Sequence, residues 1–62
     1  MTEPPIIRFF EFDHLPEPLQ RVSRPFRILA LVILEVTEPS AEQSVALRKL
    51  LESKDAAVRA AL

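Results

Sequence analysis

The stretch "RPFRILALVILEVTEPSAEQSVALRKLLE", residues 24–52, decides the fold. It opens with an almost unbroken apolar run, is punctuated by Pro39 and Ser40, and closes as a charged amphipathic segment. Reading back from Val36, apolar residues recur at Ile33, Leu29, Phe26, Val22, Leu19 and Leu15, alternating steps of three and four. That alternation is a continuous helical seam. It predicts a first helix over residues 14–36, with Asp13 as N-cap and Pro16 in the first turn. Pro25 falls inside the seam, where it deprives the Arg21 carbonyl of its helical donor and disfavours helical geometry at Arg24, so a kink is expected near residues 21–25.

A strand is the alternative for the β-branched and Leu-rich run at residues 27–36. The seam continuing upstream and the lack of a second strand-like run to pair with argue against it.

Beyond Glu38 and Pro39, the tetrad Ser40 to Gln43 has capping-box form: the Ser hydroxyl accepts one orphan N–H while Gln43 reaches back to another. The second helix then spans residues 40–62, with Leu47, Leu51, Val58 and Ala61 on one stripe and Ala46, Ser53, Ala57 and Ala60 beside it. On the remaining face, Arg48–Glu52 and Asp55–Arg59 are spaced as i,i+4 pairs. Two helices joined by so short a turn lie antiparallel. The predicted fold is all-α, one domain over residues 1–62: an N-terminal arm (1–13) ahead of an antiparallel helical hairpin with a kinked first helix.

Opposite the seam, the first helix carries Arg24 and Arg27 near the kink and then Ile28, Leu31 and Leu34. A helix that is apolar all round is buried all round, and one hairpin partner covers only one face. Ile28, Leu31 and Leu34, with the small residues Ala46 and Ala57, are therefore the expected interface of a homo-oligomeric helical bundle. Size agrees. Burial at roughly 25 cal/mol per Å² barely offsets about 1.5 kcal/mol of ordering entropy per residue in so small a chain. With 62 residues, no Cys and one His, the chain has neither disulfides nor a ready zinc site to compensate.

Several functions are disfavoured. The net charge of −1 gives no electrostatic case for coating DNA or RNA. The absence of Gly removes the glycine-rich phosphate cradles. No secretory signal opens the chain, and the apolar run from Ile28 to Leu34 is far short of the roughly 20 residues that span a bilayer. The expectation is a cytoplasmic protein without membrane contact. His14, the sole His, sits beside Asp13 as a polar residue at a helix start, and Ser23, Ser40, Ser44 and Ser53 have no triad partners. Neither an enzyme, a cofactor nor a metal is expected. Three of the four Phe cluster in the arm as Phe9, Phe10 and Phe12, either covering a core or presenting stacking planes.

The segments "HLPEPLQRVSRPF" (residues 14–26) and "SAEQSVALRKLLESKDAAVRA" (residues 40–60) together resemble the helical-hairpin domain shared by phage anti-CBASS and anti-Thoeris proteins. The family's second-helix pattern, E-R-S/T-x-A-L-x-K-L-x-E-A, is matched by Glu42, Ser44, Ala46, Leu47, Lys49, Leu50 and Glu52. Ala41 and Gln43 stand where basic residues are common, and Ala56 where a Trp is frequent. The resemblance implies a non-enzymatic sponge that oligomerises, often as a hexamer, and sequesters cyclic di- or trinucleotide messengers in the cytoplasm of the infected host, blunting CBASS-like signalling. Cyclic ADP-ribose isomers belong to the other branch.

Such a ligand needs charge-assisted donors for its phosphates and aromatic planes for its bases. Phe12 is the first candidate, then Arg48 and Lys49, then Arg24, with Phe10 and His14 alongside. An assembly or protein-inhibitor module that binds a partner helix through the apolar back face is the alternative.

Overall fold

The computed structural model describes residues 3–62, so the first two residues of the expected arm lie outside the described residues. A 3-10 helix, Pro5–Phe10, is followed by α1, Glu17–Val36, and α2, Ala41–Ala60. The two long helices pack antiparallel, and among the described residues there is no strand. The run at residues 27–36 is helical.

The arm, whose prolines read as extended or irregular chain, holds a short helix instead. Pro4 has φ −59° and ψ 147°, and Pro5 opens the 3-10 helix at a position where its fixed φ suits a first turn and its missing N–H costs nothing. Three residues per turn place Ile7 and Phe10 on one side, and both are buried.

α1 starts later than the seam suggests. Its N-cap is Pro16, without a side-chain cap, and not Asp13. Pro16 disfavours helical geometry at Leu15. Residues 13–15 form a turn instead, with the Leu15 N–H donating to the Phe12 carbonyl at 3.0 Å. Gln20 secures that turn through Nε2, which donates to the Leu15 carbonyl at 2.9 Å and the Asp13 carbonyl at 3.4 Å. α1 then runs through Pro25 without a break.

At the other end, the Thr37 hydroxyl donates to the Ile33 carbonyl at 2.6 Å. Ser40 caps α2 as expected, accepting from the Gln43 N–H at 3.1 Å. The second half of the capping box is not formed. Gln43 is 7% exposed, and its Nε2 donates to Thr37, at 3.2 Å to the carbonyl and 3.0 Å to Oγ1. It ties the start of α2 to the end of α1 across the connection at residues 37–40.

The arm helix packs against both α1 and α2. Ile7, Phe10, Ala30 and Leu47 form the buried apolar cluster, with Phe26, Leu31, Ile33, Leu34, Leu50 and Leu51 packed around it. This shifts the reading of α1. The buried residues at its centre are Ser23 and Ala30, while Leu29 and Val36 of the expected seam are 48% and 69% exposed. At about 100° per residue the inward face is rotated by roughly a quarter turn. The reason is the arm: α1 faces two neighbours, and its small residues lie where they approach. Leu31 and Leu34, expected at an intermolecular interface, pack instead against the chain's own core. α2 keeps most of its expected stripe, with Leu47 buried and Leu51 and Val58 half-buried, while Ala61, its fourth member, is the exposed C-cap.

Candidate ligand-binding surface

The connector after the arm helix delivers Phe12 to α1. Glu11 is extended, with φ −64° and ψ 144°, and carries the chain off the arm toward the turn at residues 13–15. Phe12 is half-buried, and the Arg24 guanidinium lies over its ring, 5.3 Å from the centroid. Two of the expected ligand-binding residues are thus brought together from positions twelve apart in sequence. Arg24 is exposed and has no carboxylate within 4.0 Å among the described residues. Its charge is uncommitted except to the ring, a contact worth about 0.5–1 kcal/mol at an exposed site. His14 is exposed in the adjoining turn.

Phe10 is different. It is fully buried, so its ring is core and offers no stacking face; this corrects the expectation that grouped it with Phe12.

The basic residues of α2 are exposed but do not pair as spaced. Lys49, not Arg48, meets Glu52, at 3.8 Å between side chains that are 71% and 60% exposed. Such a pair contributes little. Asp55 meets its neighbour Lys54 at 3.3 Å, not Arg59. Arg48 is left without a carboxylate partner among the described residues and lines a shallow concavity of about 190 Å³ with Pro4, Pro5 and Ser44.

The larger concavity, about 660 Å³, is chemically unsuited to a polyanion. Glu3, Glu35 and Glu38 line it, with Leu31 and Leu34 in its wall. Three carboxylates repel phosphates, and among the described residues no acidic group is arranged to hold a metal ion that could invert that charge.

No family model, curated protein or solved structure matches this chain.

The expected ligand-binding residues that remain exposed or half-buried thus fall into two groups on the single chain: the Phe12–Arg24 pair with His14, and Arg48 with Lys49 on α2. Two features escaped the sequence reading. Arg8 lies over Phe9 at 5.0 Å, a second exposed aromatic–guanidinium pair whose signal was the adjacency in "RFF". Lys54 donates from Nζ to the Phe9 carbonyl at 2.8 Å. Its signal was a lysine on the apolar stripe of α2, a placement that snorkelling or another chain's carboxylate would equally explain.

Proposed function

We propose that this chain is a non-enzymatic sponge that assembles as a homo-oligomer and sequesters a cyclic di- or trinucleotide messenger. The observation that carries the reading is the Arg24 guanidinium set 5.3 Å above the half-buried Phe12 ring. A nucleobase stacks on an aromatic or guanidinium plane, and a phosphate takes charge-assisted hydrogen bonds from the same Arg. The resemblance of residues 14–26 and 40–60 to the anti-CBASS and anti-Thoeris hairpins points to the same ligand class, and to a hexamer.

Assembly has its own support. Ile28, Leu29, Val32 and Val36 are 57%, 48%, 44% and 69% exposed and form one apolar stripe on α1, opposite the packed face. The interface residues are accordingly Ile28 with Leu29, Val32 and Val36. Ala57 is half-buried and Ala46 exposed, so α2 offers a second, shallower contact. An open basic and aromatic surface on each chain becomes an enclosed site when a symmetric neighbour covers it, and a cyclic nucleotide is itself nearly symmetric.

Titration calorimetry against cyclic di- and trinucleotides tests the ligand. A saturable heat with at least one of them is expected, with the nucleotide recovered intact. Phe12→Ala should weaken that binding about tenfold or more, since stacking contributes about 1–3 kcal/mol per base. An oligomeric sample that gives no heat with any nucleotide overturns the ligand reading. The same apolar stripe would then serve a module that binds a partner protein's helix.

A further inference from the structure

We infer that Lys54 is the positioning residue of the Phe12–Arg24 surface, acting through the main chain of the arm helix; its bearing on ligand affinity rests on the sponge reading, its bearing on geometry does not. A helix end leaves carbonyls without intrahelical donors, and the Phe9 carbonyl at the close of the arm helix is such a group. Lys54 Nζ donates to it at 2.8 Å, across 45 positions of sequence. The lysine side chain is only 12% exposed, and Asp55 Oδ1 lies 3.3 Å from the same nitrogen.

Among the described residues this is the one side-chain hydrogen bond between the arm helix and either long helix. The other arm contacts are apolar, through Ile6, Ile7 and Phe10. Burial is non-directional: it holds the arm on the hairpin without setting its rotation or its slide. A hydrogen bond from a buried stem sets both.

The consequence travels a short way. Phe9 is three residues from Phe12, and the chain between them is arm-helix end followed by one extended residue. Displacing the Phe9 carbonyl displaces the Phe12 ring from Arg24, and the stacking plane with it. Lys54 touches no part of the surface itself.

The test compares Lys54→Met, which keeps the aliphatic stem and deletes the donor, with Lys54→Gln, which keeps a shorter donor. With the Arg24 guanidinium 5.3 Å from the Phe12 centroid, a ring-current shift of the Arg24 δ-protons is expected in the wild-type chain. Lys54→Met should abolish that shift and the amide-exchange protection of Ile7 and Phe10, while protection across α2 persists. Where a cyclic nucleotide binds the wild type, affinity should fall roughly tenfold, as for loss of one charge-assisted hydrogen bond. An Arg24 shift unchanged in Lys54→Met overturns the inference. If that variant fails to fold, Lys54→Leu, which also deletes the donor, carries the same readout, and an unaltered shift there overturns the inference equally; Lys54→Gln, which keeps a donor, should retain part of the shift. Absence of nucleotide binding by the wild type rejects the sponge reading and leaves the ring-current test to decide the role of Lys54.

Discussion

Phe10 and Phe12 stand two residues apart, in the same arm, with the same chemistry, and only burial separates their roles. Phe10 is fully enclosed with Ile7, Ala30 and Leu47, while Phe12 is half-open beneath Arg24. Phe10→Ala should destabilise the chain by about 3–5 kcal/mol. A domain this small has a total stability of only about 3–9 kcal/mol at 0.05–0.15 kcal/mol per residue. The variant should therefore lose at least about a third of that stability, read as a lower denaturant midpoint by circular dichroism, and an unshifted midpoint would return Phe10 to the surface. Ser23 is the opposite case: its Oγ is fully buried and meets no hydrogen-bond partner. An unsatisfied buried hydroxyl is a cost, so the same midpoint measured on Ser23→Ala should stay or rise, by up to about 1 kcal/mol. The roles of the two Phe were not legible because the arm is too short to show a period, and a 3-10 turn places i and i+3 together where an extended reading separates them.

At the scale of elements, α2 was legible and α1 only half so. The Ser40 cap and the Leu47, Leu51 and Val58 stripe follow from local pattern, because α2 has a polar face that fixes which side turns inward. α1 has apolar residues on every side through its C-terminal half, so periodicity establishes a helix without establishing its rotation. What fixes the rotation is non-local: the arm helix returns to pack beside Ala30, drawing Leu31 and Leu34 inward and leaving Leu29 and Val36 out. Pro25 shows the reverse relation between local rule and outcome. It lies inside α1, exposed, with no N–H to offer the Arg21 carbonyl. Helix propensity sets Pro about 3 kcal/mol below Ala, and the stiffening that Pro gives the unfolded chain returns about 1 kcal/mol of that. Pro25→Ala should raise stability by about 1–3 kcal/mol, which for a domain of this size is at least roughly 4 °C in Tm. An unchanged or lower Tm would mean that neighbours exploit the local geometry Pro25 imposes.

The whole molecule measures 34 × 20 × 17 Å and exposes 4578 Å². A compact monomer of its 7.1 kDa mass exposes about 4,100 Å². The excess agrees with a core whose fully enclosed large side chains are Phe10 and Leu47 alone among the described residues, and with an apolar stripe on α1 that nothing covers. The expectation of a partner rests on an all-round apolar helix in a short chain without disulfides; which residues would meet that partner was not legible, for the rotational reason above. The distinction makes assembly testable at single positions. Val32 is 44% exposed at the middle of the stripe, between Ile28 and Val36, whereas Leu31, one residue earlier, packs against the core. Val32→Glu should therefore lower the native mass toward that of one chain at micromolar concentration while the monomer keeps its helical signal, because the new carboxylate is buried only in the assembly. Leu31→Glu places the charge inside the hairpin and should cost the helical signal itself. A wild-type chain that sediments as a folded monomer at every concentration, or a Val32→Glu variant with the wild-type mass, would remove the stripe as the seat of assembly; the proposed nucleotide site, whose closure needs a second chain, would go with it.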